Sequence, residues 1–149
     1  MTENIIVNPS LTKEERYAQL LPQVKALIED ESDLIANMAN VCGALKFSME
    51  GFFWVGFYFV KGGELVLGPY QGPVACTRIQ IPNGVCGKAA EMGEALIVPD
   101  VEKFPGHIAC SSLSKSEIVI PIIRNGKVLA VLDVDSDSLG MFDTTDEKY

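Results

Sequence analysis

The dipeptide Asn125-Gly126 narrows the folds open to this chain more than any other feature. It lies between two runs of mostly β-branched and apolar residues, at 118–123 and 128–134. Asn followed by Gly is the strongest short-range signal for a tight turn between antiparallel strands, because both residues tolerate positive φ. We therefore predict that this hairpin forms the central antiparallel pair of a sheet.

Two helices are predicted before the sheet, over about 12–47. Thr12 and Glu15 form an S/T-x-x-E capping box, and apolar residues follow it at helical spacing, with a kink expected at Pro22. Ser32 is expected to cap the second helix. The apolar stripe of that helix is expected to face the core, and it consists of Leu34, Ile35, Met38, Val41, Cys42 and Leu45.

Strands and turns are predicted for most of the remaining chain, at about 51–136. The predicted elements are strands at 52–60, 65–67, 75–81 and 95–98, a short helix at 85–92 and a long loop at 99–116. Thr144 and Glu147 form another capping box, so a C-terminal helix is expected from 144, either truncated or frayed. This order of elements predicts a single α+β domain over 1–149, with a central antiparallel β-sheet and the N-terminal helices packed on one face.

Charge and hydropathy exclude several classes of partner. Of the 149 residues, 48% are hydrophobic, which is enough for a core without metals or disulfides. Twelve Lys and Arg against 20 Asp and Glu give a net charge of −8, which repels nucleic acid and anionic lipid. The sequence has neither the pattern of a secretory leader nor an apolar run of the roughly 20 residues that span a bilayer. We expect a cytoplasmic protein with reduced thiols, and neither nucleic acid nor a membrane as partner.

Three of the four cysteines lie outside the predicted N-terminal helices and are candidates for redox chemistry. Cys86 falls at the start of the short helix, where the helix dipole stabilises a thiolate. Cys110 lies in the long loop three residues after His107, the only histidine, which can assist its thiol. Cys76 completes the set, whereas Cys42 is interpreted as core packing. For any one cysteine alone, inert burial is the alternative, and structural zinc is not expected because no pair has C-x₂₋₄-C spacing.

Three acidic residues near the Asn-Gly hairpin are candidates for one polar site. Asp133 and Asp135 share a face of their strand, because side chains alternate along a strand, and Glu117 begins the partner strand. A strict two-residue loop would pair Glu117 with Val134 and turn it away from both aspartates. A shared pocket therefore requires a bulge or a wider loop, for which Pro121 is a plausible place. Otherwise one face is simply solvated.

An aromatic pair lies on one face of the first predicted strand. Trp54 and Tyr58 point to the same side, and Gly56 stands between them. Two aromatic walls around a floor without a side chain would let a small ligand approach the backbone. The alternative is a core strand with a glycine bend.

An ordered set of segments covering nearly the whole chain resembles the free methionine-(R)-sulfoxide reductases, a family with the GAF fold. The matching segments are 51–58 (GFFWVGFY), 67–76 (LGPYQGPVAC), 81–89 (IPNGVCGKA), 107–111 (HIACS), 116–121 (SEIVIP) and 131–136 (VLDVDS). The resemblance implies that Cys110 is the nucleophile and that Cys86 or Cys76 is the resolving thiol. It further implies a substrate pocket lined by Trp54, Tyr58, Glu117, Asp133 and Asp135.

The same resemblance implies an activity, a donor and partners. The chain would reduce free L-methionine-(R)-sulfoxide through a cysteine sulfenic acid and a disulfide, which thioredoxin, or dithiothreitol in vitro, would reduce. No bound cofactor and no metal is implied, and related GAF proteins often form homodimers through their helices. A GAF domain can instead be a small-ligand sensor, which ligand binding without turnover would indicate. Tightly bound metal would indicate a metal-binding or structural protein.

Overall fold

Six strands form one antiparallel sheet in the computed structural model of this protein, which describes residues 4–107, 110 and 112–149. In space they follow the order β3, β2, β1, β6, β5, β4. The strands are β1 (Trp54–Lys61), β2 (Glu64–Gln71), β3 (Arg78–Gln80), β4 (Leu96–Val98), β5 (Ser116–Arg124) and β6 (Lys127–Ser136). The predicted antiparallel sheet is confirmed, but the Asn125-Gly126 hairpin of β5 and β6 is not its central pair as predicted. The central pair is β1 and β6, because β1 pairs with the free side of β6.

The helices begin close to the predicted positions. They are α1 (Lys13–Glu29), α2 (Leu34–Ser48), α3 (Gly84–Met92) and α4 (Thr144–Lys148), with a short 3₁₀ turn at Val101–Lys103. The capping box at Thr12 is confirmed, and α1 continues through Pro22. The cap of α2 is Asp33 rather than Ser32, since its carboxylate accepts the Ala36 N–H at 2.9 Å.

The C-terminal helix α4 packs against α1. Its capping box starts at Asp143, one residue before the predicted position, and is completed by Asp146. Asp146 is buried, accepts a hydrogen bond from the Tyr17 hydroxyl and lies 2.7 Å from Lys13 Nζ. The ring of Tyr149 stacks on that of Tyr17 with 5.4 Å between centroids. The end of this chain is therefore joined to α1 by charge, hydrogen bonding and ring stacking.

Alternate residues of β1 divide the molecule into two cores. Val55 and Phe57 face α1 and α2, together with the buried Cys42. Trp54 and Tyr58 face the opposite side, where α3 covers the sheet. The predicted packing of the N-terminal helices on one face is thus confirmed. The stripe of α2 starts later than predicted, since Leu34 and Ile35 are 59% and 54% exposed.

The hairpin between β5 and β6 contains the irregularity that the three acids require. Asn125 and Gly126 have φ values of 54° and 74°, as predicted for a tight turn. Ile123 pairs with Val128, but Ile122 pairs with Ala130, which leaves Leu129 as an extra residue. The expected bulge is therefore confirmed, but its suggested place at Pro121 is wrong, because Pro121 pairs in register with Val131.

No helix in the described part of the chain is long and apolar enough to cross a bilayer.

Candidate active site

A pocket opens on the face of the sheet that carries α3. Seven of the eight predicted site residues line this pocket, and so does His107. The eighth, Cys76, is bonded to Cys110. The residues that line the pocket are Phe53, Trp54, Tyr58, Pro73, Val74, Ala75, Ile79, Gly84, Val85, Cys86, His107, Cys110, Ser114, Glu117, Asp133 and Asp135. Two loops, three strands and one helix thus bring the predicted residues together.

A disulfide joins Cys76, in the loop after β2, to Cys110, in the long loop before β5. Their Cα atoms are 5.4 Å apart, and both residues are half-buried. Cys86 and Cys42 are free and buried. The expectation that every thiol is reduced therefore does not describe this structure. Of the two candidate partners for Cys110, the structure pairs it with Cys76.

The thiol of Cys86 is not the stabilised thiolate that its place near the start of α3 predicted. Burial raises its pKa well above the ordinary value, and the nearby Asp133 and Glu117 carboxylates raise it further. Both effects disfavour a second negative charge, and they outweigh the partial positive charge of the helix N-terminus. Cys86 is therefore a neutral thiol, and its Sγ lies 3.8 Å from Oε2 of Glu117 as a hydrogen-bond donor.

The bulge at Leu129 places the three acids on one face. Glu117 is paired with Asp135 across β5 and β6 instead of with Val134. Asp133 is flanked by Val119 on one side and by Gly56 on the other. All three carboxyl groups point into the pocket, away from α1 and α2. The alternative of a solvated strand face is excluded for Glu117 and Asp133, which are each 5% exposed.

Burial raises the pKa of all three carboxyl groups. The pKa values of Glu117 and Asp135 are raised well above their ordinary values, because the negative charge of Asp133 adds to the effect of burial. Burial also raises the pKa of Asp133, but hydrogen bonding with Glu117, Cys86 and Asp135 acts in the opposite direction. Asp133 is thus the member best suited to carry the negative charge. Glu117 is best suited to keep a proton near neutrality.

One acid oxygen in this cluster is left open to a ligand. The Ser114 hydroxyl donates a 3.0 Å hydrogen bond to Oδ1 of Asp135. Oδ1 of Asp133 is buried and has no hydrogen-bond partner among the described residues, and neither has Nδ1 of His107. Buried polar atoms are seldom left unpaired in folded proteins. An unpaired carboxylate oxygen inside a pocket points to a missing donor or cation.

The two predicted aromatic walls are present, but the floor between them is not open. The rings of Trp54 and Tyr58 stack with 6.0 Å between centroids, and the ring of Tyr70 also stacks on that of Trp54, at 5.2 Å. A Cβ built on Gly56 would lie 2.3 Å from Cη2 of Trp54. The expectation that a ligand approaches the backbone at Gly56 is therefore wrong, because the indole occupies that space. Gly56 is required by the position of Trp54.

Both aromatic walls also hold the loop that carries Cys76. The indole Nε1 of Trp54 donates to the carbonyl oxygen of Pro73 at 3.0 Å. The hydroxyl of Tyr58 donates to the carbonyl oxygen of Cys76 itself at 2.9 Å. The wall of the pocket and the backbone of the disulfide loop are therefore one hydrogen-bonded unit.

Comparisons with known proteins identify the family of this chain. The sequence pattern of the GAF domain matches residues 29–149. The free methionine-R-sulfoxide reductase of Saccharomyces cerevisiae is 42% identical over 155 residues, which cover 99% of this chain and 86% of the yeast protein. The chain belongs to the free methionine-R-sulfoxide reductase family of GAF domains. GAF domain-containing protein A of Dictyostelium discoideum is 58% identical, over 100% of this chain and 94% of that protein.

Structures of this family share the fold described above. One is the X-ray structure of the free methionine-R-sulfoxide reductase of Neisseria meningitidis in complex with its substrate. Its sequence is 48% identical to this chain, and the two structures compare with a TM-score of 0.90. The match covers 96% of this chain and 87% of the other. The α+β GAF assignment made from sequence is thereby confirmed.

Several residues that line the pocket were not singled out from the sequence. Phe53, Ile79 and Val85 contribute apolar surface, and Pro73 contributes a carbonyl oxygen. Such residues carry no chemical signature in a sequence, because backbone and apolar atoms are common to all positions. Ser114 had a weak signal only, as one of the serines near Cys110.

His107 lies in the same pocket as Cys110. Burial lowers the pKa of its imidazole, although the charge of Asp133 acts against this effect. A neutral imidazole is therefore favoured, able to accept or donate one proton. Its position is compatible with the suggested assistance to Cys110.

Proposed function

We propose that this protein reduces free L-methionine-(R)-sulfoxide to L-methionine. The observation that carries the proposal is the Cys76–Cys110 disulfide beside a pocket that contains three buried carboxyl groups. Two thiols that can bond to each other supply the two electrons of a sulfoxide reduction. The yeast and Neisseria proteins named for this activity support the same assignment.

The unpaired Oδ1 of Asp133 is the proposed acceptor for the α-ammonium group of the substrate. It is buried, and Asp133 is the acid that most readily bears the negative charge. A methionine sulfoxide inside a polypeptide has an amide nitrogen without positive charge. It would leave the carboxylate uncompensated in the pocket, which is costly. This contact accounts for a preference for the free amino acid, with the rings of Trp54 and Tyr58 as apolar walls.

The proposed reaction begins at Cys110 and Glu117. The sulfur of Cys110 attacks the sulfoxide sulfur, while the protonated carboxyl of Glu117 donates to the sulfoxide oxygen. The oxygen then passes as hydroxyl from the substrate sulfur to the Cys110 sulfur: an S–O bond to Cys110 forms, the substrate S–O bond and the transient S–S bond break, and the methionine sulfur keeps the electron pair. Methionine leaves, and Cys110 is a sulfenic acid. Burial keeps the proton of Glu117 available near neutrality. The bound ammonium group offsets the negative charge of the acids, which would otherwise disfavour a Cys110 thiolate.

The disulfide follows from the sulfenic acid. The thiol of Cys76 attacks the Cys110 sulfenic acid, and water leaves as the S–S bond forms. A dithiol donor then reduces the disulfide by exchange and is itself oxidised. We propose thioredoxin as this donor, with dithiothreitol as its substitute in vitro and no bound cofactor. A thioredoxin-dependent cycle fits the cytoplasm as site of action, and a homodimer remains a prediction.

The test is the consumption of L-methionine-(R)-sulfoxide by the purified protein with dithiothreitol or a thioredoxin system. The free R epimer should be reduced, whereas the S epimer and a peptide containing methionine sulfoxide should react far more slowly. Cys110→Ser should be inactive, and Cys42→Ala should be as active as the wild type, because Cys42 packs on the opposite face of the sheet. Ligand binding without turnover by the reduced wild type would support a sensor instead. Equal rates for free and peptide-bound substrate would refute the role of Asp133.

A further inference from the structure

The acidic end of the pocket also holds a buried free thiol, Cys86, to which the proposed reduction assigns no step. We propose that Cys86, Glu117 and Asp133 form a binding site for a zinc ion. Their candidate ligand atoms, one sulfur and two carboxylate oxygens, all lie within 4.8 Å of one another. All three residues are buried. Zinc–ligand distances are about 2.0–2.3 Å, so the three side chains would move towards one another around the ion.

An independent observation indicates that this end of the pocket accepts a cation. Oδ1 of Asp133 is a buried carboxylate oxygen that no described residue pairs with, on a side chain that is 5% exposed. The described residues that line the pocket include no Lys and no Arg. The negative charge therefore has no counter-ion from the protein in the described part of this pocket. A divalent cation bound by Asp133 would neutralise its charge and reduce the repulsion among the acids.

The donor set favours zinc over the harder cations. A thiolate with two carboxylates suits zinc, whereas Mg²⁺ and Ca²⁺ are held by oxygen ligands. On binding, the protons of the Cys86 thiol and of any protonated carboxyl would be released to solvent, since metal ligands must be deprotonated. A fourth position remains for water, since zinc is usually four-coordinate.

This site is invisible to the spacing rules that argued against structural zinc. Its ligands come from three separate elements, with Cys86 on α3, Glu117 on β5 and Asp133 on β6. Zinc there would bind the Asp133 carboxylate, whose unpaired oxygen we assign to the substrate ammonium group. Zinc should therefore compete with substrate, a consequence that rests on the proposed function. The binding of zinc does not rest on it.

The test uses the tag-free protein in its disulfide form. Cys76 and Cys110 are then unable to bind metal, which leaves Cys86 and Cys42 as free thiols. Equilibrium dialysis against Zn²⁺ should give one ion per chain. Cys86→Ser and Glu117→Gln should each weaken binding by roughly tenfold or more, a loss of about 1.4 kcal/mol or more. Cys42→Ala is the matched control and should bind zinc as the wild type does.

A second measurement needs no variant. Co²⁺ in place of Zn²⁺ should give the near-ultraviolet charge-transfer absorption of a thiolate–cobalt bond in the wild type, and added Zn²⁺ should remove it. Absence of zinc binding, or of the thiolate absorption, would overturn the proposal, as would folded Cys86→Ser and Glu117→Gln proteins that bind zinc like the wild type. Zinc binding by a protein without reductase activity would refute the proposed function alone. Reductase activity without zinc binding would refute the zinc site alone.

Discussion

Glu117 on β5 lies directly opposite Asp135 on β6, although a regular Asn125-Gly126 hairpin would set it against Val134. The difference is one extra residue, Leu129, close to the turn. A shift of one residue turns every side chain of a strand to the opposite face. The bulge therefore decides that three acids share one buried pocket, and the following predictions depend on that pocket.

Replacement of Glu117 by Gln is expected to stabilise the fold at neutral pH and to impair turnover. The raised pKa means that folded Glu117 keeps a proton which the unfolded chain loses. This contribution to stability is fully present below the unfolded pKa of about 4, and it is lost as pH rises through the folded pKa. The amide of Gln carries no proton to lose, so its stability does not fall in this way. Glu117→Gln should therefore raise the free energy of unfolding at pH 7 by about 1 kcal/mol.

Urea denaturation across neutral pH measures this effect. The gap between Glu117→Gln and wild type should widen as pH rises. Glu94→Gln, at an exposed position, should change stability by no more than about 0.5 kcal/mol. A Glu117→Gln protein that is less stable than the wild type above neutral pH would contradict the assigned protonation.

Replacement of Cys76 by Ser is expected to separate methionine release from disulfide formation. Without reductant, the variant should still release about one methionine per chain, because Cys110 alone accepts the oxygen. The sulfenic acid on Cys110 should then persist and react with dimedone, whereas the wild type should form a disulfide. Intact-protein mass spectrometry distinguishes the two products. A disulfide between Cys86 and Cys110 in the variant would instead make Cys86 a resolving thiol.

Replacement of Tyr58 by Phe is expected to slow disulfide formation more than methionine release. The variant keeps the aromatic wall but loses the 2.9 Å hydrogen bond to the carbonyl oxygen of Cys76. Loss of about 1 kcal/mol of positioning corresponds to about a fivefold slower step. Rapid-quench measurement of methionine and of remaining sulfenic acid separates the two rates. Tyr70→Phe, which keeps its stacking on Trp54, is the control. Equal slowing of both steps by Tyr58→Phe would argue against a positioning role for the hydrogen bond from Tyr58 to Cys76.

Replacement of Gly56 by Ala is expected to displace the indole of Trp54. The new Cβ would lie 2.3 Å from Cη2 of Trp54 and 2.5 Å from Cβ of Tyr70. Overpacking of this kind costs about 1–3 kcal/mol, and the displaced wall should raise KM. Gly43→Ala on α2 meets nothing within 4 Å and should be neutral or stabilising by about 0.5–1 kcal/mol. Thermal unfolding and steady-state kinetics check both variants, and an unchanged Gly56→Ala protein would mean that Trp54 is not confined.

The elements of this fold were predictable because their signals are local. The capping box at Thr12 and the turn at Asn125-Gly126 depend on neighbouring residues alone, and both formed as predicted. The alternation of Trp54 and Tyr58 likewise predicted their common face. Errors of one residue occurred where two adjacent polar residues could cap a helix, as with Ser32 and Asp33. The sequence by itself thus determined the elements, the antiparallel sheet and which residues are able to do chemistry.

The tertiary structure decided how those residues meet. The disulfide between Cys76 and Cys110 joins two loops far apart in the chain, and the family resemblance left Cys86 as an equal candidate. The neutral state of Cys86 follows from burial beside Glu117 on another element, which reversed the prediction from its helix position. The place of the bulge depended on the pairing of whole strands. Loop contacts, burial and register arise from the packing of distant segments, so no local pattern in the sequence contains them.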